Sequence, residues 1–270
     1  MNNKKFFKDI FTRAATIAGL SSAVEIFADK TNDTTVVLSE GKLEDFYISE
    51  LHGAGIKIIK NGKVGFAYTN NFSGYVTDDL ISSALKNSEF LQPDKCASIA
   101  HPSMINMELD VCDDSFGKES IEKKIAFIKE MEKRAISNNK IKSVVRLAYS
   151  ESLGETDIVN TNGLDLSSRG TVFSYGISCI ASDGSEIQVG GESSVKRVFT
   201  EVDFERVTDE AVRNAVELLG AKKIATGKYP AVFHQNVGCE FLSLLESSFS
   251  AFAVAKNVSS LRGKINKKVF

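Results

Sequence analysis

The stretch Gly55-Ile56-Lys57-Ile58-Ile59-Lys60-Asn61-Gly62-Lys63-Val64-Gly65-Phe66-Ala67-Tyr68 decides the fold class. Two runs rich in β-branched and aromatic residues flank Asn61-Gly62. A two-residue type I′ turn needs positive φ at both central positions, which Asn and Gly adopt at least cost, so the stretch reads as a tight β-hairpin. Upstream, residues 23–29 alternate and residues 34–39 are β-rich. Thr31-Asn32-Asp33 between them has turn chemistry and predicts another hairpin. Residues 44–49 read as a further strand. Before these, Phe6, Phe7, Ile10, Phe11, Ala14, Ile17 and Ala18 share one helical stripe that Gly19 ends. Downstream a helix is predicted from about Thr77, with Asp78 and Asp79 at its positive end and Leu80, Ile81, Ala84 and Leu85 inside. Residues 1–90 thus read as helix, antiparallel meander, helix.

The same plan is expected again further on. Residues 91–117 show no period, carry Pro93 and Pro102 and an acidic turn at Asp110, Asp113 and Asp114, and read as a linker. A helix from about Ser120 to Ser137 buries Ile121, Ile125, Ile128 and Met131. Strands are expected at 143–152, 156–161, 164–170, 171–182 and 186–195, with hairpin turns at Asn162-Gly163 and Asp183-Gly184. A helix from about Asp203 to Leu219 buries Val207, Ala211, Val212, Ala215 and Leu218, and Gly220 caps it. The second unit is therefore 118–222. Residues 227–270 read as a short strand, Ala231-Val232-Phe233, and a helix to about Lys256 with Phe241, Leu244, Leu245 and Phe252 as its core stripe. The ending suggests a third domain that has barely begun. The expected fold class is α+β, with two helix–meander–helix units followed by the start of a third, mostly missing domain.

Composition excludes some functions. Hydrophobic residues make up 43% of the 270 and charged residues 25%, with formal net charge −2, which suits a globular core but supplies no cationic face for phosphate. No apolar run approaches the ~18–20 residues that span a bilayer. Lys8, Asp9 and Arg13 interrupt the first helix too often for a signal peptide, and its mixed-charge polar face argues against a membrane surface. Cys96, Cys112, Cys179 and Cys239 form no C-x-x-C pair, which predicts reduced thiols and a cytoplasmic protein. His52 and His101 stand alone and read as structural or solvated. Gly190-Gly191 lacks the rest of a phosphate loop.

One constellation has catalytic character: Gly227-Lys228-Tyr229-Pro230-Ala231-Val232-Phe233-His234-Gln235-Asn236-Val237-Gly238-Cys239, a short apolar strand that leads into a helix start. This stretch resembles the TldD/PmbA family, the "modulator of DNA gyrase" metallopeptidases. Gly263-Lys264-Ile265-Asn266-Lys267-Lys268-Val269-Phe270, Gly53-Ala54-Gly55-Ile56-Lys57 and Gly65-Phe66-Ala67-Tyr68-Thr69 resemble other segments of it. Family members are longer, so the resemblance implies an amino-terminal part of one.

In the active TldD-type subunit the resemblance implies H-E-x-x-x-H at this place, with a later cysteine completing a zinc site. His234 then matches the first metal histidine, Gln235 the glutamate base, and Cys239 the second histidine. A neutral amide cannot take a proton from zinc-bound water as a carboxylate does. Thiolate is a good zinc ligand, but residues five apart on a helix diverge by ~140°.

The chain is therefore most similar to a PmbA/TldE-like non-catalytic subunit. That likeness implies a cytoplasmic heterodimer with a zinc-bearing TldD-like subunit, or a homodimer, acting on extended unfolded or leader peptides. No cofactor of its own is expected, zinc lying in the partner. The alternatives are an active zinc peptidase using His234 and Cys239, and a gyrase modulator that works through protein partners.

Overall fold

The computed structural model describes residues 3–19, 21–71, 76–102 and 111–269. Asn61 and Gly62 both have positive φ, 53° and 74°, and join β2 (Lys42–Lys60) to β3 (Lys63–Thr69) as the hairpin expected. The second hairpin lies elsewhere than predicted. β1 runs unbroken from Ala23 to Ser39, and Thr31 is paired with Leu51 on one side and Gly154 on the other. Ladders on both flanks hold Thr31-Asn32-Asp33 extended against their local turn preference. The reversal comes at Glu40-Gly41, again with positive φ at both positions.

The same correction applies to three other predicted breaks. Residues 44–49 and 55–60 belong to one strand, β2. Residues 143–152 and 156–161 merge into β4 (Ile141–Asn160), and 164–170 and 171–182 into β5 (Asp165–Ser182). β6 is Ile187–Lys196.

The six strands form a single antiparallel sheet in the order β3-β2-β1-β4-β5-β6. The two meanders are not separate sheets, because β1 pairs with β4 from Glu25–Asn160 to Leu38–Leu147. Val24, Ile26, Val36 and Leu38 alternate onto one face of β1, and both cores lie on that face. Over β1–β3, α1 (Asn3–Ala18) and α2 (Val76–Glu89) bury Ile10, Ala14, Ile81 and Ala84 against Ile56 and Ile58. The side chain of Phe6 lies outside the described residues.

Over β4–β6, α3 (Ile121–Ile136) and α4 (Phe204–Val216) bury Ile128, Met131, Val207 and Ala211 against Leu147 and Tyr175. Ser120 and Asp203 start these helices by accepting the N–H of Lys123 and Arg206, which satisfies donors that the first turn leaves free. Leu218 falls past the end of α4 and is exposed rather than buried. Two glycines set how closely helices approach the sheet. A Cβ on Gly65 would lie 1.9 Å from the Ala84 carbonyl oxygen, and one on Gly190 would lie 2.1 Å from the Ala215 nitrogen.

Residues 91–102 are pinned to the end of the sheet. The Asp94 N–H donates to the Gly62 carbonyl at 2.8 Å, and the Ala100 N–H donates to Glu25 Oε2 at 3.2 Å. Asn160 Nδ2 donates to the Ala100 carbonyl and to Glu25, while Lys57 Nζ lies 2.9 Å from Glu25 Oε1.

Residues 1–221 form one compact unit and 222–270 another. In the second, α5 (Gln235–Phe249) stops at Ser250, whose ψ is 127°, and α6 (Ala251–Ala255) follows. Two expectations fail here. Residues 231–233 form no strand, since no described strand pairs with them, and a strand without a ladder has nothing to hold it. Phe241, Leu244 and Phe252 are 52%, 74% and 71% exposed, because no described element of this unit lies over their stripe. Among the described residues, no helix is long and apolar enough to cross a membrane.

Candidate functional site

The His234 helix start is built by local chemistry. Tyr229 OH donates to the Ala225 carbonyl at 2.9 Å and folds the approach on itself. His234 is the N-cap of α5, extended at φ −60° and ψ 149°. Its Nδ1 accepts the Asn236 N–H over a long 3.4 Å, and its carbonyl accepts the Gly238 N–H at 3.0 Å. The helix therefore starts regularly. Gln235 occupies its first position and Cys239 its fifth, and His234, Gln235 and Cys239 are all exposed.

This geometry can be tested against a zinc ion. With Nδ1 accepting, the neutral ring of His234 carries its proton on Nε2, so ligation through Nε2 would exchange the tautomer and lose the cap. The regular first turn leaves His234 and Cys239 diverging by ~140°. A cation here would also face the positive end of the helix. Among the described residues, no three His, Cys, Asp or Glu side chains are grouped to hold a metal. The two donors present do not fit a shared tetrahedral zinc without rebuilding this turn.

The other flagged residues have plain structural places. His101 Nε2 lies 3.4 Å from Asn162 Nδ2 at the end of the sheet, and His52 stands opposite Lys30 in β2. In the acidic turn, Asp113 accepts the Ser115 N–H at 2.8 Å and the Phe199 N–H at 2.6 Å. Partial burial works against its charge, but these bonds win and hold the carboxyl below its ordinary range. Asp114 is exposed, and Asp110 lies outside the described residues.

A buried ionic cluster was missed. Lys124 Nζ lies 2.5 Å from Glu151 Oε1, with side chains 4% and 3% exposed. Tyr149 OH donates to Glu151 Oε2 at 2.8 Å. Burial and then the Glu151 charge push the Tyr149 hydroxyl far above its ordinary range, which keeps it a donor. The signal was available: Lys124 falls on the stripe of Ile121, Ile125 and Ile128, and Glu151 alternates inward between Tyr149 and Leu153.

Comparison with known proteins bears on the whole chain. Residues 24–88 match the model of PmbA/TldA metallopeptidase domain 1, residues 114–219 the central domain, and residues 226–270 the C-terminal domain. Segments of all three domains are thus present, which replaces the expectation of an amino-terminal part only. Protein MJ0231 of Methanocaldococcus jannaschii is 30% identical over 91% of this chain and 56% of its own. The metalloprotease PmbA of Escherichia coli O157:H7 is 20% identical over 98% of this chain and 60% of its own. The chain thus spans little more than half the length of the curated relatives it matches.

Two solved structures share the fold. TldE from Thermococcus kodakarensis superimposes with a TM-score of 0.75 at 17% identity, over 96% of this chain and 58% of that one. A Thermotoga maritima protein, described as a candidate modulator of a DNA gyrase, gives 0.83 at 24% identity, over 97% and 59%.

Proposed function

Because the chain belongs to the PmbA/TldD metallopeptidase family, we propose that it is the non-catalytic, TldE/PmbA-like subunit of a two-subunit peptidase. In this reading a TldD-like partner supplies the zinc and the base, and this chain helps to hold unfolded or leader peptides. The observation that carries it is Gln235 at the first position of α5. An amide there offers no proton-accepting charge at any working pH. Zinc would polarise a peptide carbonyl and activate water where it is held; among the described residues His234 and Cys239 form no matched ligand set, and Gln235 supplies no base. Its own contribution is backbone and side-chain contact with an extended substrate, which antiparallel sheet edges provide. The likeness to TldE supports the assignment through fold.

Reconstitution tests it. The full-length protein alone is expected to leave an unfolded peptide intact, and the mixture with a TldD-like subunit to cleave it. His234→Ala should leave the mixture's activity unchanged. Hydrolysis by the protein alone, abolished by His234→Ala and accompanied by stoichiometric zinc, would replace this reading with that of a peptidase using His234 and Cys239. The Thermotoga relative's description supports a lesser reading, gyrase modulation through protein partners, for which pull-down of gyrase independent of DNA is the check.

A further inference from the structure

We infer that the cleft between α3 and the head of α4 binds the amino-terminal residue of a peptide, with a large apolar side chain in the cleft and the free ammonium at its acidic rim. The inference rests on the peptide-holding reading above and says which end of the peptide this chain grips, and with what chemistry.

The cleft is made of side chains that the core already fixes. Where α3 and α4 lie side by side over the sheet, they leave a hollow of about 610 Å³ at their outer surface. Small-ligand pockets span ~300–1,000 Å³ and are lined mainly by apolar and aromatic groups. Phe127 and Phe204 form an aromatic wall here, stacked at 5.3 Å and 20°. Neighbouring rings hold both: Phe204 packs on Tyr175 at 5.0 Å, and Phe127 on Phe199 at 5.8 Å. Met131, buried, and Val202, half-buried, complete the apolar part. The Thr208 hydroxyl donates to the Phe204 carbonyl at 2.7 Å, so it is not a free donor inside the cleft. A wall set in advance loses little entropy when an apolar side chain enters.

The rim selects the charge of the occupant. Glu130, Asp203 and Glu205 line it, against Lys133 and Arg134. Both cations are engaged. Arg134 donates from Nε and Nη2 to Asp209 at 2.7 and 2.8 Å and holds Nη1 3.0 Å from Glu205. Lys133 Nζ lies 3.5 Å from Glu130. Asp203 makes no ion pair among the described residues; its Oδ1 accepts the Arg206 N–H as the cap of α4. An anion would find both cations taken. A cation finds a surplus carboxylate beside aromatic faces, which attract positive charge. A free peptide amino terminus combines the two needs, because its ammonium and its side chain share one carbon. A lysine side chain has the charge but offers the aromatic wall only a narrow stem.

The test is binding to the whole chain, read by fluorescence anisotropy. The probes are tripeptides labelled at the carboxyl end: phenylalanine–alanine–alanine, its N-acetylated form, glycine–alanine–alanine, and N-acetylated lysine–alanine–alanine. The first should bind about tenfold more tightly than the other three. With benzoylphenylalanine at its first position, light should crosslink it within residues 127–137 or 202–208, as mapped by mass spectrometry. Asp203→Asn keeps a good helix cap and removes the charge. It should weaken binding by about fivefold, the upper range for an exposed ion pair, and lessen its salt dependence. Equal binding of the N-acetylated phenylalanine peptide, crosslinks elsewhere, or unchanged binding by Asp203→Asn would overturn the inference. So would equal or tighter binding of the acetylated lysine peptide, which assigns the cleft to a basic side chain. Neither the partner nor hydrolysis enters this measurement. Hydrolysis by the chain alone would remove the subunit reading and leave this one, while absent peptide binding would do the reverse.

Discussion

Removing the buried cation at Lys124 is the sharpest test of what holds α3 to the sheet. Lys124→Met keeps the stem and deletes the ammonium. It leaves the Glu151 carboxylate at 3% exposure, with the Tyr149 hydroxyl as its remaining described hydrogen-bond donor. Breaking a buried pair from one side costs ~3–5 kcal/mol, because the surviving charge is neither solvated nor paired. Glu151→Leu should cost at least as much, since it strands the ammonium and also leaves the Tyr149 hydroxyl without an acceptor, a loss of ~1–3 kcal/mol. In the double variant no charge remains, and the orphaned hydroxyl is the chief cost, ~1–3 kcal/mol. The double variant should therefore be more stable than either single one. Urea unfolding of the whole chain, followed by circular dichroism, measures all three. At ~2–4 °C per kcal/mol for a domain of this size, Lys124→Met should lower Tm by roughly 6–20 °C. A Lys124→Met loss below ~1 kcal/mol, the range of an exposed pair, would refute the reasoning, and so would a double variant equal to the sum of the singles.

Other expectations follow from named contacts. Burial alone would raise the Glu25 pKa, but Lys57, Asn160 and the Ala100 N–H outweigh it and hold the carboxyl below its ordinary range. Its stabilisation is then complete above the unfolded value of ~4.3 and fades as pH falls through the lower folded value. Glu25→Gln should flatten that part of the stability–pH curve, and an unaltered slope would remove Glu25 from the account. Burial pushes the Cys179 thiol up to about 11, whereas Cys96 and Cys239 are exposed. Ellman's reagent at pH 8 should label those two first and Cys179 only after unfolding, since the thiolate is the reactive form; loss of a fast-reacting thiol in Cys179→Ala would contradict this. Gly190→Ala drives a methyl to within 2.1 Å of the Ala215 nitrogen and should destabilise by at least ~1–3 kcal/mol. Gly154→Ala meets its nearest described atom at 4.0 Å and should instead stabilise by up to ~1 kcal/mol; similar thermal midpoints for the two variants would discount close packing of α4 on β6.

The hairpin at Asn61-Gly62, the helix start near Ser120 and the helix stop at Gly19 were legible because each depends on a few adjacent residues. What was misread depends on neighbours far along the chain. Thr31-Asn32-Asp33 has the composition of a turn, yet β2 and β4 ladders hold it extended from either side. No local pattern in residues 23–39 announces those ladders. The union of two meanders into one sheet is the same fact at larger scale, since the β1–β4 pairing joins residues more than a hundred positions apart.

The candidate site divides in the same way. Gln235 speaks directly, because the lack of a proton acceptor is a property of the residue itself. Whether His234 and Cys239 can meet a common ion depends on the backbone between them. There the 3.0 Å bond from the Gly238 N–H to the His234 carbonyl marks an ordinary first turn. The extent of the β2–β3 pairing was the least legible of all. Residues 42–53 look like any amphipathic strand until the register shows where β3 stops and which carbonyls Asn87 and Asn214 have already taken. A sheet edge is a relation among strands, so where it falls is written in pairing rather than in composition.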